Sequence, residues 1–204
     1  MEPFEHFSAL HLDTLKEAGN IGAGNAATAL SKLLGSRVSV EVPDARIVSL
    51  AEVTEMFGGA EQMVTALFLR IDGDAPGSLF FIVSVEEANL FIRYLTGDPE
   101  TSLEDAFGLS ALQEAGNILA GSYLSSICDF TGLNLQPTPP AINVDMAGAI
   151  LVSGLAESTR SSEHAIMIET TFNEWHERNG RFLLVPDPQS VSTIFRALGV
   201  PDHE

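Results

Sequence analysis

The spacing of hydrophobic residues predicts two long helices, and at 100° per residue the apolar side chains form one continuous stripe along each of them. The stripes consist of Leu12, Leu15, Gly19, Gly22, Ala26, Leu30 and Leu33 on the first helix, and of Leu109, Leu112, Gly116, Leu119, Tyr123, Ile127 and Phe130 on the second. These stripes are the predicted core faces of the two helices.

Shorter apolar runs separated by turn residues predict the strands of each half. They are RVSVEV, ARIVSL, MVTALFLRI and SLFFIVS in the first half, and AINVDMAGAILVSGLAE, HAIMIETTFNEWHE and RFLLVP in the second. The sequence DGDAPG predicts one hairpin turn, and Asn179 with Gly180 predicts another. Apolar residues recur with helical spacing in two further segments, VEEANLFIRYL and PQSVSTIFRALG. Each half is therefore predicted as helix, strands, hairpin and helix.

The two halves of the chain resemble each other. Shifting the sequence by 97 residues aligns the segment from Leu12 with the segment from Leu109 without a gap. The residues that recur are Leu12, Leu15, Glu17, Ala18, Gly19, Asn20, Ile21, Ala23, Gly24 and Gly35, and Pro43 recurs as Pro140. We therefore predict a single domain over residues 1–204, built from two repeats of about residues 8–100 and about residues 105–200. The predicted class is α+β, with two layers, pseudo-two-fold symmetry and both long helices on one face of an antiparallel sheet.

A second stripe on each long helix is polar and lies well round the cylinder from the apolar one. It consists of Asp13, Glu17, Asn20 and Gly24 on the first helix, and of Ser110, Glu114, Asn117 and Gly121 on the second. Glycine inside a helix costs about 1 kcal/mol relative to alanine, so its presence in both copies indicates a close approach to the backbone. An exposed Glu and Asn are ordinarily a solvated face, but drift after duplication would scramble such positions before core ones. The retained pair therefore favours a function.

Gly22, Gly24 and Ala27 resemble the glycine-rich loop of a dinucleotide-binding fold. The second copy, however, has Leu119 in place of Gly22 while it keeps the Glu and the Asn. The segment also follows a helical sequence, whereas the dinucleotide loop follows a strand. We therefore predict a helix face and no phosphate-binding loop.

The composition is strongly acidic, with 28 Asp and Glu residues against 10 Lys and Arg, and the net charge is −18. This charge repels nucleic-acid phosphates and anionic membrane surfaces, so we expect neither nucleic acid nor membrane as a partner. Only Lys16 and Lys32 are lysines. The pattern suggests an acidic, halophilic-type surface whose self-repulsion would be screened by salt.

Residues that usually bind metals or form disulfides are few. Cys128 is the one cysteine, and the five histidines do not take the spacing of zinc motifs. We expect no metal and no cofactor of the protein's own. The start MEPFEHFSAL lacks the features of a signal peptide, and no run of about 18 apolar residues occurs, so the expected location is cytoplasmic.

The polar stripes resemble a known signature. The CheC, CheX and FliY family of chemotaxis phosphatases has a characteristic pattern of spaced residues. It begins with an acidic residue or Ser, followed after three residues by Glu, after two more by Asn, and after a further twenty-two by Pro. The matching residues are Asp13, Glu17, Asn20 and Pro43, and again Ser110, Glu114, Asn117 and Pro140. The doubled motif is similar to the CheC branch, because CheX keeps one copy. We expect neither the N-terminal switch-binding peptide nor the C-terminal motor domain of FliY.

This resemblance implies an enzyme that hydrolyses the aspartyl phosphate of a CheY-type response regulator and binds the receptor deamidase CheD. It assigns catalysis to Glu17, Asn20, Glu114 and Asn117. Each Asn would position the attacking water, and each Glu would pair with a lysine of the receiver. Docking would use the space above Gly24 and Gly121, with support from Asp13, Pro43, Ser110 and Pro140. Ser110 is the weaker match to an acidic residue. Magnesium (Mg2+) is expected on the phosphorylated receiver.

Two other functions remain open from the sequence. The protein would be a non-catalytic adaptor if it binds CheD or the phosphorylated regulator without turnover. It would be a motor-switch component if it acts like the middle domain of FliM, which shares the architecture. The FliM domain lacks the paired Glu and Asn, so the motif argues against the second of these alternatives.

Overall fold

The same order of seven elements occurs twice along the chain. A computed structural model describes residues 9–155, 164–172 and 178–198. The first run is α1 (Ala9–Leu34), β1 (Val40–Glu41), β2 (Ala45–Ser49), α2 (Leu50–Met56), β3 (Met63–Gly73), β4 (Gly77–Ser84) and α3 (Val85–Thr96). The second run is α4 (Ala106–Thr131), β5 (Leu135–Pro137), β6 (Ala141–Met146), α5 (Ala147–Leu155), β7 (His164–Phe172), β8 (Arg178–Pro186) and α6 (Pro188–Ala197). The predicted α+β class and the internal repeat are confirmed.

The described strands form one antiparallel sheet to which both repeats contribute. Its order is β1, β7, β8, β4, β3 and β5, with β2 also paired to β7 and β6 to β3. The first two strands of each repeat pair with the hairpin of the other repeat. Ala45 of β2 thus lies opposite Ile168 of β7, and Ile142 of β6 lies opposite Leu67 of β3. Strand exchange of this kind joins the two repeats through their backbones.

Both faces of the central strands are buried, because alternate side chains point to opposite sides of a strand. Along β3, Leu67 and Leu69 belong to the core beneath α1, α3, α4 and α6. Val64 and Ala66 belong to a second core on the other face, which α2 and α5 cover. The two long helices therefore lie on one face of the sheet, as predicted, and two short helices cover the opposite face.

The long helices α1 and α4 cross at close range and run antiparallel. A Cβ on Gly22 would lie 2.9 Å from the Cα of Tyr123, so the crossing requires glycine. One turn earlier in α1, the carbonyl of Ala18 accepts a hydrogen bond from the Ser126 hydroxyl at 2.6 Å. The Tyr123 and Thr170 hydroxyl oxygens are 3.0 Å apart, which connects α4 to the sheet. Burial raises the pKa of the Tyr123 phenol well above its ordinary value.

The short helices α2 and α5 are a correction to the prediction of strands alone. The run AINVDMAGAILVSGLAE is a strand only as far as Met146, and α5 begins at Ala147. A capping box starts α2: the Ser49 N–H donates to the Glu52 carboxylate at 2.8 Å, and the Glu52 N–H donates to the Ser49 hydroxyl. These contacts with Ser49 hold the pKa of Glu52 below its ordinary value. The Ser-x-x-Glu spacing was the sequence signal for this helix.

Two smaller predictions are also wrong, namely the burial of the last residue in each apolar stripe and the position of one hairpin turn. Leu33 and Phe130 are 52% and 39% exposed, because each lies in the last turn of its helix, beyond the packed part. The Asn179 and Gly180 pair lies inside β8, opposite Thr171 and Thr170, and does not form the turn. A Cβ on Gly180 would collide with the Phe81 ring, so this glycine serves close packing. Residues 173–177 of the predicted strand HAIMIETTFNEWHE lie outside the described residues.

Candidate functional site

The polar stripes are exposed on both long helices, as the helical spacing predicts. The exposed residues are Asp13, Glu17, Asn20 and Gly24 on α1, and Ser110, Glu114, Asn117 and Gly121 on α4. In each stripe the Glu and the Asn are three residues apart, so their side chains are neighbours on the helix surface. Because the helices run antiparallel, the stripes form two separate sites related by the internal symmetry.

The glycines of the polar stripes differ from those of the core. A Cβ on Gly116 would collide with the Leu67 side chain, and one on Gly22 would crowd Tyr123. A Cβ on Gly24 or on Gly121 would meet no other part of the described chain within 4 Å. Packing therefore accounts for Gly22 and Gly116, whereas no contact within the described residues accounts for the two exposed glycines.

In the first site, the asparagine is bound to the segment that carries the motif proline. The Val42 N–H donates to the Oδ1 atom of Asn20 at 3.2 Å. Pro43 follows Val42 and is exposed. The spacing of twenty-two residues between Asn20 and Pro43 thus corresponds to a physical contact, because it returns the chain from α1 past β1 to the asparagine.

The second site has a different connection between its helix and its proline segment. Gln113, one turn before Asn117, donates from Nε2 to the carbonyl of Pro140 at 3.0 Å. Asn117 borders an open cavity of about 340 Å³. The cavity is lined by Leu69, Gln113, Asn117, Ala120, Gly121, Pro137, Thr138, Pro139 and Pro140. The first site has Lys16 at the position of Gln113.

The proline segment of the second site is attached to the edge of the sheet. The Thr138 N–H donates to the Arg70 carbonyl at 2.8 Å, and the Arg70 N–H donates to the Thr138 hydroxyl at 3.0 Å. The Arg70 guanidinium in turn pairs with Asp187, just before α6, at 3.1 Å. Backbone contacts on β3 therefore fix one wall of the cavity beside Asn117.

Three residues of the sites were not predicted from the sequence, namely Val42, Gln113 and Pro139. Comparing the repeats position by position near the motif prolines would have found them. Val42 of the first repeat aligns with Pro139 of the second, and Lys16 aligns with Gln113. These positions differ between the two repeats, whereas the prediction used only the positions at which the repeats are identical.

The carboxylates of the two sites are available to a partner. Within residues 9–155, 164–172 and 178–198, the ion pairs join Arg46 to Asp44 and Glu169 and join Arg70 to Asp187. Glu17 and Glu114 take part in none of these pairs. The same described residues contain no group of three or more His, Cys, Asp or Glu side chains placed to hold a metal ion. None of the described helices has the length and apolar character needed to cross a membrane.

This arrangement suits positioning better than covalent catalysis. Each site presents a carboxylate, which attracts a cation, and a neutral carboxamide, which both donates and accepts hydrogen bonds. Neither stripe contains a histidine, a lysine or a cysteine. Each pair of side chains can therefore orient a polar group through the carboxamide and attract a cation through the carboxylate.

Comparison with known proteins gives consistent matches. A model of the CheC-like family matches residues 10–47 and 107–144, the two segments that carry the motif. The chain is 41% identical to the CheY-P phosphatase CheC of Bacillus subtilis (strain 168) over 206 residues, which cover 98% of this chain and 99% of that protein.

Solved structures share the fold at lower identity. Thermotoga maritima FliY superposes with a TM-score of 0.72 at 21% identity, over 95% of this chain and 98% of that one. The FliM middle domain of H. pylori superposes with a TM-score of 0.70 at 14% identity, over 94% of this chain and 99% of that one. A chain of the CheX–CheY–BeF3–Mg2+ complex of Borrelia burgdorferi superposes with a TM-score of 0.50 at 14% identity, over 81% of this chain and 95% of that one. These likenesses show the fold, and the full-length match to CheC shows the family: the chain belongs to the CheC-like family.

Proposed function

We propose that this protein is a phosphatase that hydrolyses the aspartyl phosphate of a CheY-type receiver. The observation that carries the proposal is the pair of exposed stripes in which a glutamate, an asparagine and an unpacked glycine recur at the same spacing. Its support from relatives is the 41% identity to a protein named CheY-P phosphatase CheC. A solved complex of a relative, CheX, also contains CheY.

The chemistry requires little from the catalyst. In the reaction a water oxygen forms a bond to phosphorus, the bond between phosphorus and the aspartyl oxygen breaks, and the receiver's carboxylate and inorganic phosphate are released. An acyl phosphate already has a good leaving group, so holding the water in line is the main task. The neutral carboxamides of Asn20 and Asn117 suit this task, because they bind water without repelling the phosphoryl oxygens.

The neighbouring residues have supporting roles in this proposal. Glu17 and Glu114 would pair with a lysine of the receiver and so bring each asparagine to the phosphate. Gly24 and Gly121 would let the receiver approach the helix backbone. Asp13 and Ser110 would contact the receiver at the start of each stripe, while Pro43 and Pro140 shape the adjoining segments. The magnesium ion belongs to the phosphorylated receiver, which is the substrate.

The deciding experiment measures phosphate release from a purified, phosphorylated CheY-type receiver with substoichiometric amounts of the protein. We expect multiple turnovers, and a loss of about a hundredfold or more in the double variant Asn20→Ala, Asn117→Ala, because the water is no longer positioned. The matched control is Asn25→Ala, since Asn25 is exposed on α1 but lies outside the stripe. Circular dichroism would confirm that all three proteins are folded.

Each other result has a definite meaning. Full activity of the double variant would rule out water positioning by the two asparagines. Tight binding of the phosphorylated receiver without faster phosphate release would make the protein an adaptor. Binding of a CheD-type deamidase is a separate proposal, and co-elution of the two purified proteins on gel filtration would test it.

A further inference from the structure

The backbone beside the catalytic asparagine differs between the two sites. In the first site the Val42 N–H donates to Oδ1 of Asn20 at 3.2 Å. The aligned position in the second repeat is Pro139, and proline has no N–H to donate. Within the described part of the chain, the Asn117 side chain makes no such bond and borders the cavity. The sites therefore differ in one donor atom.

The Val42 contact sets the orientation of the Asn20 side chain. A backbone N–H can only donate, so the atom of Asn20 that faces it is the carboxamide oxygen. One of the two acceptor positions of that oxygen is thus occupied, and the carbonyl points toward its own chain. The NH2 group is left as the part of the amide that faces outward. A water that attacks phosphorus gives up a proton, so an acceptor is the better group to hold it.

Val42 is itself held firmly in place. Its side chain is 2% exposed, and its two Cγ atoms lie 3.5 Å from the position that a Cβ on Gly19 would occupy. The residues just before it, Val40 and Glu41, pair with β7. The donor that meets Asn20 therefore belongs to a packed segment, and the asparagine has to move if the contact is to break.

We propose that Val42 is a positioning residue that keeps Asn20 in a resting orientation, and that Pro139 leaves Asn117 free, which makes the second site the faster one. The inference rests on the proposed phosphatase function. Asn20 must release the Val42 N–H before its carbonyl can turn to the attacking water, and Asn117 needs no such step. The net strength of one neutral hydrogen bond corresponds to about a two- to tenfold difference in kcat between the sites.

Chains with one working site separate the two activities. Asn117→Ala leaves the first site and Asn20→Ala leaves the second, and each chain is assayed for kcat and for the receiver concentration that gives half the maximal rate. We expect the Asn20→Ala chain to have the higher kcat, by about two- to tenfold. Equal kcat values would overturn the proposal.

Exchanging the residues at the aligned position tests the cause. In the Asn117→Ala chain, Val42→Pro should raise kcat, and it gives the first repeat the two consecutive prolines that the second repeat has at Pro139 and Pro140. In the Asn20→Ala chain, Pro139→Val should lower kcat by about the same factor, with little change in the half-saturating concentration. Pro99→Val is the matched control, because Pro99 is exposed between α3 and α4, outside the cavity lining. If Val42→Pro does not fold, Pro139→Val decides the question, and an unchanged kcat with it would overturn the proposal.

Amide hydrogen exchange measured by NMR gives a readout that does not depend on turnover. The Val42 amide should exchange slowly in the unaltered chain and faster in Asn20→Ala, while the neighbouring amides of β1 stay the same. In Pro139→Val the new amide should be protected only when Asn117 is present. Absence of any dephosphorylation by the unaltered chain would instead contradict the proposed function, a result distinct from an active chain with two equal sites.

Discussion

Gly22 and Gly24 are two positions apart on α1 and have opposite surroundings. The backbone of α4 lies against Gly22, whereas the space above Gly24 is open. Both residues weaken the helix, since glycine has the greatest freedom to lose on folding. The close helix crossing offsets this at Gly22. At Gly24, and at Gly121 in the second repeat, no contact within the described chain offsets it, which is the pattern expected of a docking surface.

The exposed glycines should therefore lower the stability of the helices while they allow the receiver to bind closely. Replacing Gly24 and Gly121 by Gln should stabilise each helix by about 0.5 kcal/mol or slightly more, which for a chain of this size raises the Tm by about 2 to 4 °C in the double variant. The receiver concentration at half-maximal rate should rise several-fold, because the new side chains occupy the contact surface. Calorimetry and the phosphate-release assay would measure the two effects.

A core glycine provides the contrast for this prediction. Gly116→Ala should lower the Tm, because the new Cβ would overlap the Leu67 side chain. If the Gly24 and Gly121 variants left the half-saturating concentration unchanged, these positions would have no part in docking.

Tyr123 should make stability depend on pH in the alkaline range. Burial raises the folded-state pKa of the phenol above its ordinary value of 10.0. The folded state thus favours the protonated form, so its stability is fully present below pH 10 and is lost as the pH rises above that value. Urea unfolding at about pH 8 and about pH 11 should show this loss.

Two substitutions check the assignment to Tyr123. Tyr123→Phe should be less stable at about pH 8 by about 1 to 3 kcal/mol, because the buried Thr170 hydroxyl loses its partner. It should also lose less stability on going to about pH 11. Tyr94→Phe is the control, since Tyr94 is half-buried on α3. An equal alkaline loss in the unaltered and Tyr123→Phe proteins would contradict the assignment.

Among the secondary-structure elements, the apolar composition of two predicted strands already indicated that helices cover both faces of the sheet. SLFFIVS and the centre of MVTALFLRI are almost continuously apolar, which is typical of strands buried on both faces. Such strands require cover on both sides of the sheet. The structure supplies it with α2 and α5, so the missed helices were implied by the predicted strands. The long helices were predicted directly, because their periodicity is local.

The N-terminal turns of the long helices expose apolar side chains at equivalent positions. Leu10 is 51% exposed and Phe107 is 66% exposed, and 97 residues separate them. Phe107 lies two turns before Glu114, on the same side of α4. Apolar anchors beside polar contacts are typical of binding interfaces.

These side chains should contribute to receiver binding. Changing Leu10 and Phe107 to Ser should raise the half-saturating receiver concentration several-fold, because an apolar contact with the receiver is lost. The kcat should stay unchanged, because neither residue belongs to the Glu and Asn pairs proposed to act on the phosphate. Val152→Ser is the control, since Val152 is 74% exposed on α5, which covers the opposite face of the sheet. The docking role is excluded if the control and the double variant show the same half-saturating concentration.

At the scale of the whole molecule, strand exchange combines the two repeats in one sheet. The sheet places α1 and α4 side by side and so determines where the two sites lie. The same architecture occurs in the FliM middle domain at 14% identity, so the fold alone does not identify a function. The proposed function therefore rests on the exposed Glu and Asn of each stripe and not on the architecture.

The acidic surface makes a prediction for the molecule as a whole. Raising KCl from about 0.1 M to about 1 M shortens the Debye length from about 10 Å to about 3 Å. The Tm should rise by a few degrees, because the repulsion among the surplus carboxylates of a chain with a net charge of −18 is screened. A variant with Glu100→Gln and Glu104→Gln should respond less to KCl. A Tm that is flat or falls with KCl would exclude a halophilic-type surface.

The long helices, the repeat and the residues of the polar stripes follow from the amino-acid sequence alone. Helical spacing is a local property, and Asn20 lies beside Glu17 whenever that segment is a helix. Three other relations are visible only in the folded chain: β2 pairs with β7, Gly180 lies against Phe81, and the Val42 N–H reaches Asn20. These relations depend on where distant segments of backbone meet. No pattern within one segment contains that information, because it arises from the packing of the two repeats against each other.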